Sequence, residues 1–416
     1  MYRTVLLLML LLLSIMHEGA SQVKTDQWLQ ELIYKNASPF LKHILDSSDT
    51  YQYQLIYTRI DRDKRNNPVF RNYYMNVDRN RYFNPASTVK MPLSFLALEK
   101  LHSLQQFGVN KNTVMLTDSS YSGQTSVLGD SSSQNSMPSI AQYIRKVFLI
   151  SDNDAYNRLY EFLGQQTINE ALWAKGYKDV KITRRFVPMS ADENRHTNAV
   201  CFMRGNDLLY QQPAATSNVA FNFNKTILVG NAHYDRNDSL INAPMDFTTH
   251  NKVPLEDLQQ MLRSVMFPRS VSEEQRFNLS DSDYLFLYQY MSELPRESAF
   301  PRYDTTEYFD SYTKFFWFKD GRQKIPSYIR SFNKPGWSYG FLTDVAYIAD
   351  FKNNTEFMLS GVIYVNSDGV LNDDKYEYEQ TGYPFFREIG QIIYNYEQTR
   401  KRKNIPNLDN LKLDYN

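Results

Sequence analysis

Stretches patterned as β-strands stand at the two ends of this chain, with most of its length between them. Tyr51 to Ile60 alternates, placing Tyr53, Leu55 and Tyr57 on one face; after the charged turn from Asp61 to Pro68, Phe70 to Val77 returns as a partner. Far along the chain, Gly340 to Asp350 and Glu356 to Val365 form a second pair, joined by the turn Lys352-Asn353-Asn354. The two pairs need each other to make a sheet with a core. The predicted class is therefore α+β: an antiparallel sheet built from N- and C-terminal strands, flanked by helices, with an inserted helical subdomain.

The segments between and around the strands read as helices. Trp28 to Leu45 has a helical apolar pattern with a weak point at Ser38-Pro39, and Leu93 to Leu104 is apolar at helical spacing. Ile140 to Ile150 runs as a short helix into Ser151-Asp152-Asn153, and Tyr156 to Leu163 continues as another. Pro254 opens a helix carrying Leu255, Leu258, Met261, Leu262 and Val265. Asp281 to Leu294 reads as a capped helix, and Pro384 to Tyr396 as a closing amphipathic one. From about Gly164 to Phe247 the periods are weak.

Composition excludes several functions. Lys+Arg and Asp+Glu are both 46, so the net charge of zero gives nucleic acid no electrostatic footing, and Arg400-Lys401-Arg402-Lys403 reads as a solvated tail. The six histidines show no paired spacing, which predicts no metal, and no Gly-rich phosphate loop is present, so no cofactor is expected. Cys201 is the single cysteine and is expected to be a buried, inert thiol. Arg3, the apolar run Val5 to Met16 and Gly19-Ala20-Ser21 together predict a secretory signal peptide over residues 1–21. Residues 22–416 are then a periplasmic or secreted domain, expected to be a monomer with no stable membrane span.

Three short motifs carry chemistry, in this order: Ser87-x-x-Lys90, Ser151-Asp152-Asn153 and Lys334-Pro335-Gly336. A serine and a lysine three apart at a helix start share one face. A neutral lysine can take the hydroxyl proton and make the serine a nucleophile. The helix N-terminus disfavours protonation of Lys90, and its free N–H groups can hold an oxyanion.

This set of motifs resembles the signature of class A β-lactamases and penicillin-binding proteins. The hairpin before Ser87, the helix after Asn153 and the closing helix extend the resemblance over most of the chain, whereas residues 190–245 look like an insertion or an enlarged active-site loop. The resemblance implies a β-lactamase/transpeptidase-like fold and a serine hydrolase. Ser87 would form the acyl-enzyme, Lys90 would be its base, and Ser151 would pass a proton to the departing nitrogen. Asn153 and Lys334 would bind substrate, with Gly336 and Trp337 on the strand beside it; the N–H groups of Ser87 and Trp337 would form the oxyanion hole. Asp152 would be structural.

Two residues depart from the family pattern. Pro335 offers no hydroxyl for a substrate carboxylate, and it fits a strand only at an edge. In Arg185-Phe186-Val187-Pro188, valine stands where class A enzymes have the glutamate that activates water for deacylation. Glu193 is the substitute candidate for that role. The expected function is a secreted serine hydrolase acting on β-lactams or related amides and esters, slow release of the acyl group being its mark. The alternatives are a DD-peptidase acting on cell-wall peptides and a non-catalytic envelope binding or sensor module.

Overall fold

A computed structural model describes residues 23–121 and 123–415. The signal peptide expected at residues 1–21 lies outside them. Helices α1 (Gln27–Asn36) and α2 (Pro39–Asp46) precede β1 (Gln54–Arg62) and β2 (Pro68–Met75). Helices α3 (Lys90–Leu104), α4 (Ile140–Leu149), α5 (Asn153–Leu163), α6 (Leu255–Met266) and α7 (Asp281–Ser292) follow. The chain closes with β3 (Ile329–Ser338), β4 (Phe341–Asp350), β5 (Thr355–Tyr364) and α8 (Tyr383–Thr399).

The five strands form one antiparallel sheet in the order β3-β4-β5-β1-β2. The N-terminal strands join the C-terminal ones where β1 pairs with β5, Tyr57 opposite Leu359. The architecture is the α+β, β-lactamase/transpeptidase-like one expected. Strand alternation sends Leu55 and Tyr57 to one face and Ile56 and Ile60 to the other, and each face is buried. The first packs on α1, α2 and α8 through Leu29, Ile33, Leu41, Phe386 and Ile389. The second packs on the inserted helices through Phe95, Leu98, Leu159 and Leu258.

The weak point at Ser38-Pro39 is a full break between α1 and α2. Ser38 caps α2 by accepting from Leu41 N at 3.2 Å, and Pro39 takes the first turn, where a helix has no use for its N–H.

Lys334-Pro335-Gly336 lies inside β3, whose Asn, Pro and Gly residues hide it from strand propensity. Within residues 190–245, Val200–Arg204 sits between Val114–Thr117 and Asp207–Gln212 in a separate three-stranded sheet. Two expectations need correcting. Arg400 and Arg402 are no solvated tail, since both pair with the buried carboxylate of Glu397, and Arg400 also reaches Asp61 at 2.6 Å. Cys201 is half-buried, and desolvation followed by the nearby Asp118 pushes its thiol up, away from reactivity. No helix among the described residues is long and apolar enough to cross a membrane.

Candidate active site

Ser87 lies in a 3₁₀ turn, Ala86–Val89, that runs straight into α3. The turn is entered through Ala86 at φ 43°, a left-handed conformation an alanine adopts only under constraint. Asn84 supplies it, its Oδ1 accepting from Ala86 N at 2.9 Å, while Thr88 N and Oγ1 both donate to Pro85 O, at 3.0 and 2.6 Å. Ser87 itself is half-buried, and its hydroxyl has no hydrogen-bond partner among the described residues.

Lys90, at the first position of α3, is fully buried. Its Nζ donates to Asn153 Oδ1 at 2.7 Å and to the backbone oxygen of Ser151, and lies 3.3 Å from Ser151 Oγ. Burial pushes its ammonium down to about 7, and Asp152 pulls weakly the other way. Lys334, also fully buried, donates to Ser151 Oγ at 2.8 Å and to Pro335 O at 2.8 Å. Desolvation first and then Lys90 hold it well below the usual lysine range. The Ser151 hydroxyl therefore sits between two lysines. Ser151 adopts φ 58°, a second left-handed non-glycine residue at the site. Asp152 caps α5, accepting from Ala155 N at 2.7 Å, which is the structural part expected of it.

Strand β3 is an edge strand, and its free edge lies against the Ser87 turn. A Cβ at Gly336 would stand 2.7 Å from Ser87 N and 2.8 Å from Pro85 O, so only glycine permits this approach. Pro335 lies opposite Asp344 in the ladder. Residues two apart in a strand point their N–H groups the same way, so the N–H of Trp337 shares the cleft-facing side that Pro335 leaves without a donor. The Trp337 ring is held by Phe315 and Tyr312, at centroid separations of 5.7 and 6.0 Å.

The segment after Thr183 closes the other side. Arg185 is buried and ion-paired to the buried Glu161, and its Nη2 also donates to Glu193 O at 3.0 Å and to His196 O. Glu161 in turn accepts from Asn198 N at 2.6 Å, so one buried pair ties both ends of the loop. Asn157 Oδ1 accepts from Phe186 N at 2.9 Å, and the Phe186 ring centroid is 5.1 Å from Lys90 Nζ. Val187 lines a cleft of about 580 Å³ with Asn84, Phe186, Arg184, Ser338 and Tyr339.

The structure thus brings Lys90, Ser151, Asn153 and Lys334 into one hydrogen-bonded cluster, with Gly336 and Trp337 on the strand against Ser87. Glu193 is placed otherwise. It completes a capping box on the short helix Ala191–Arg195, accepting from Ser190 N at 2.7 Å, and no hydrogen bond among the described residues joins it to the cluster.

Sequence reasoning missed three parts. Glu161 and Arg185 are far apart in sequence, and nothing local marks them as a pair. Arg184, which donates through Nη1 to His250 Nε2 at 2.7 Å, was passed over; burial and then Arg184 push that imidazole down to about 3, so it is a neutral acceptor. Behind β3 lies a buried network: Lys314 Nζ donates to Asn333 Oδ1 at 2.8 Å, and Asn333 Nδ2 donates to Asp344 Oδ1 at 2.8 Å. Its only trace in the sequence is polar residues inside otherwise apolar strands.

Residues 41–219 are similar to the β-lactamase enzyme family. Among solved structures, the TLA-1 extended-spectrum β-lactamase aligns with 14% identity over 86% of this chain and 97% of that one, at a TM-score of 0.47. A β-lactamase from Burkholderia phymatum aligns with 12% identity over 89% of this chain and 100% of that one, also at 0.47. No curated protein matches the sequence.

Proposed function

We propose that this chain is a secreted serine hydrolase that forms an acyl-enzyme at Ser87 with β-lactams or related amides and esters. The observation that carries the reading is the Ser151 hydroxyl held between Lys90 and Lys334, at 3.3 and 2.8 Å. Lys90, pushed down to about 7, is in part a free amine at neutral pH. It takes the Ser87 proton as Oγ bonds to the substrate carbonyl carbon, and the N–H groups of Ser87 and Trp337 hold the oxyanion. The tetrahedral species collapses with rupture of the C–N bond, and Ser151 relays the proton from Lys90 to the leaving nitrogen. A substrate carboxylate beside Lys334 restores that lysine's charge, and Arg184 at the cleft offers a second cation where Pro335 has no hydroxyl.

Release of the acyl group is slow on this reading, because Val187 presents apolar surface to the cleft. Intact-protein mass spectrometry after mixing with a penicillin tests it: one adduct on the wild type, persisting long after acylation is complete, and none on Ser87→Ala with an unchanged circular dichroism spectrum. Labelling that survives Ser87→Ala would overturn the assignment. Turnover of D-alanyl peptides, beside a penicillin adduct that is never released, would favour the DD-peptidase, and no adduct with any acyl donor a binding module.

A further inference from the structure

A second cavity, of about 500 Å³, opens between the segment leading into Ser87 and the loop around Phe223 to Gly230. That volume is in the range of small-molecule sites. Arg81, Lys181, Lys225 and Lys252 line it, and among the described residues no carboxylate does. In a chain whose charges balance, four cations around one hollow are a local excess.

A further observation indicates what the excess is for. Lys181 and Lys252 exchange both backbone hydrogen bonds, at 2.8 and 2.9 Å, so their side chains stand opposite each other on one face. Like charges so placed repel, and a shared anion relieves them. The rings of Tyr82 and Phe223 supply flat apolar wall. Tyr82 also packs on Phe247, which packs on His250, so an aromatic tier separates this cavity from the cleft that Val187 lines.

We propose that this cavity is a separate binding site for a small organic molecule carrying two or more phosphate or carboxylate groups. The site does not depend on the chemistry of Ser87. Isothermal titration of the full chain with inorganic pyrophosphate and with citrate, at low ionic strength, tests it. Saturable binding at one site is expected, the same in Ser87→Ala as in the wild type. Binding should fall about tenfold or more in Lys181→Gln/Lys252→Gln and in the exposed-loop variant Lys225→Gln. It should be unchanged in Lys401→Gln/Lys403→Gln, a pair of exposed lysines elsewhere. Tighter pyrophosphate identifies phosphate recognition, and tighter citrate carboxylate recognition. Failure of both probes to saturate, or binding by both site variants as tight as by the wild type, overturns the proposal.

Discussion

At the scale of single residues, the site is set by the protonation of Lys90. With its ammonium pushed down to about 7 by burial, the amine form grows as pH rises through that value. The acylation rate should therefore climb with pH through about 7 and level off above it, as stopped-flow labelling with a chromogenic penicillin would show. Lys90→Ala should slow acylation by roughly 10²–10⁴-fold and flatten that profile. Val187 is the second lever. A carboxylate there could take a proton from water, so Val187→Glu should shorten the acyl-enzyme lifetime by roughly 10²-fold. Glu193→Gln, by contrast, should loosen the cap on its short helix and leave that lifetime unchanged; loss of turnover in it would return the base to Glu193. Ser87 and Lys90 were legible as a candidate pair from their spacing at a helix start, and Ser151 only through the resemblance that the three motifs carry together. The capping use of Glu193 was not, because a capping box and a cleft carboxylate look alike until the loop is placed.

At the scale of elements, the decisive contact is that of β3 with the Ser87 turn. Gly336→Ala would drive a Cβ into the backbone of Ser87 and Pro85, and neither can yield as a side chain would. The strand must move outward and carry the Trp337 N–H with it. Acylation should fall by about 10²-fold, the usual cost of an ångström of misplacement, while circular dichroism stays native. Labelling at the wild-type rate would show that the close approach has no part in the chemistry. This strand also marks the limit of reading by pattern. β1 announces itself by alternation, β2 as its return after a charged turn, and β4 and β5 as a pair joined at Lys352-Asn353-Asn354, whereas β3 carries Asn333, Lys334, Pro335 and Gly336 in mid-strand. The short strands within residues 190–245 have no clean period either, because most are two or three residues long and partly exposed.

For the whole molecule, the balance of buried lysines sets the response to pH. Lys90 and Lys314 are both pushed down to about 7 from 10.5, chiefly by burial. Between those values the unfolded chain holds protons that the folded one does not, so stability rises with pH, and this contribution is lost as pH falls through about 7. Denaturant melts at pH 7, 8 and 9 should show increasing stability, by up to about 1.4 kcal/mol per pH unit for each lysine. Lys314→Met should lower that slope. A slope unchanged in the variant would mean that Lys314 keeps its proton in the folded protein. The sheet also has a property that belongs to the molecule as an object. Its two outer strands are β3, with Pro335 in mid-ladder, and β2, which begins at Pro68. A proline has no hydrogen to offer an incoming backbone, so the border at β3 is broken in its middle. The residue that costs the site a hydroxyl also interrupts the sheet's edge, and a further strand laid along it would find no continuous template.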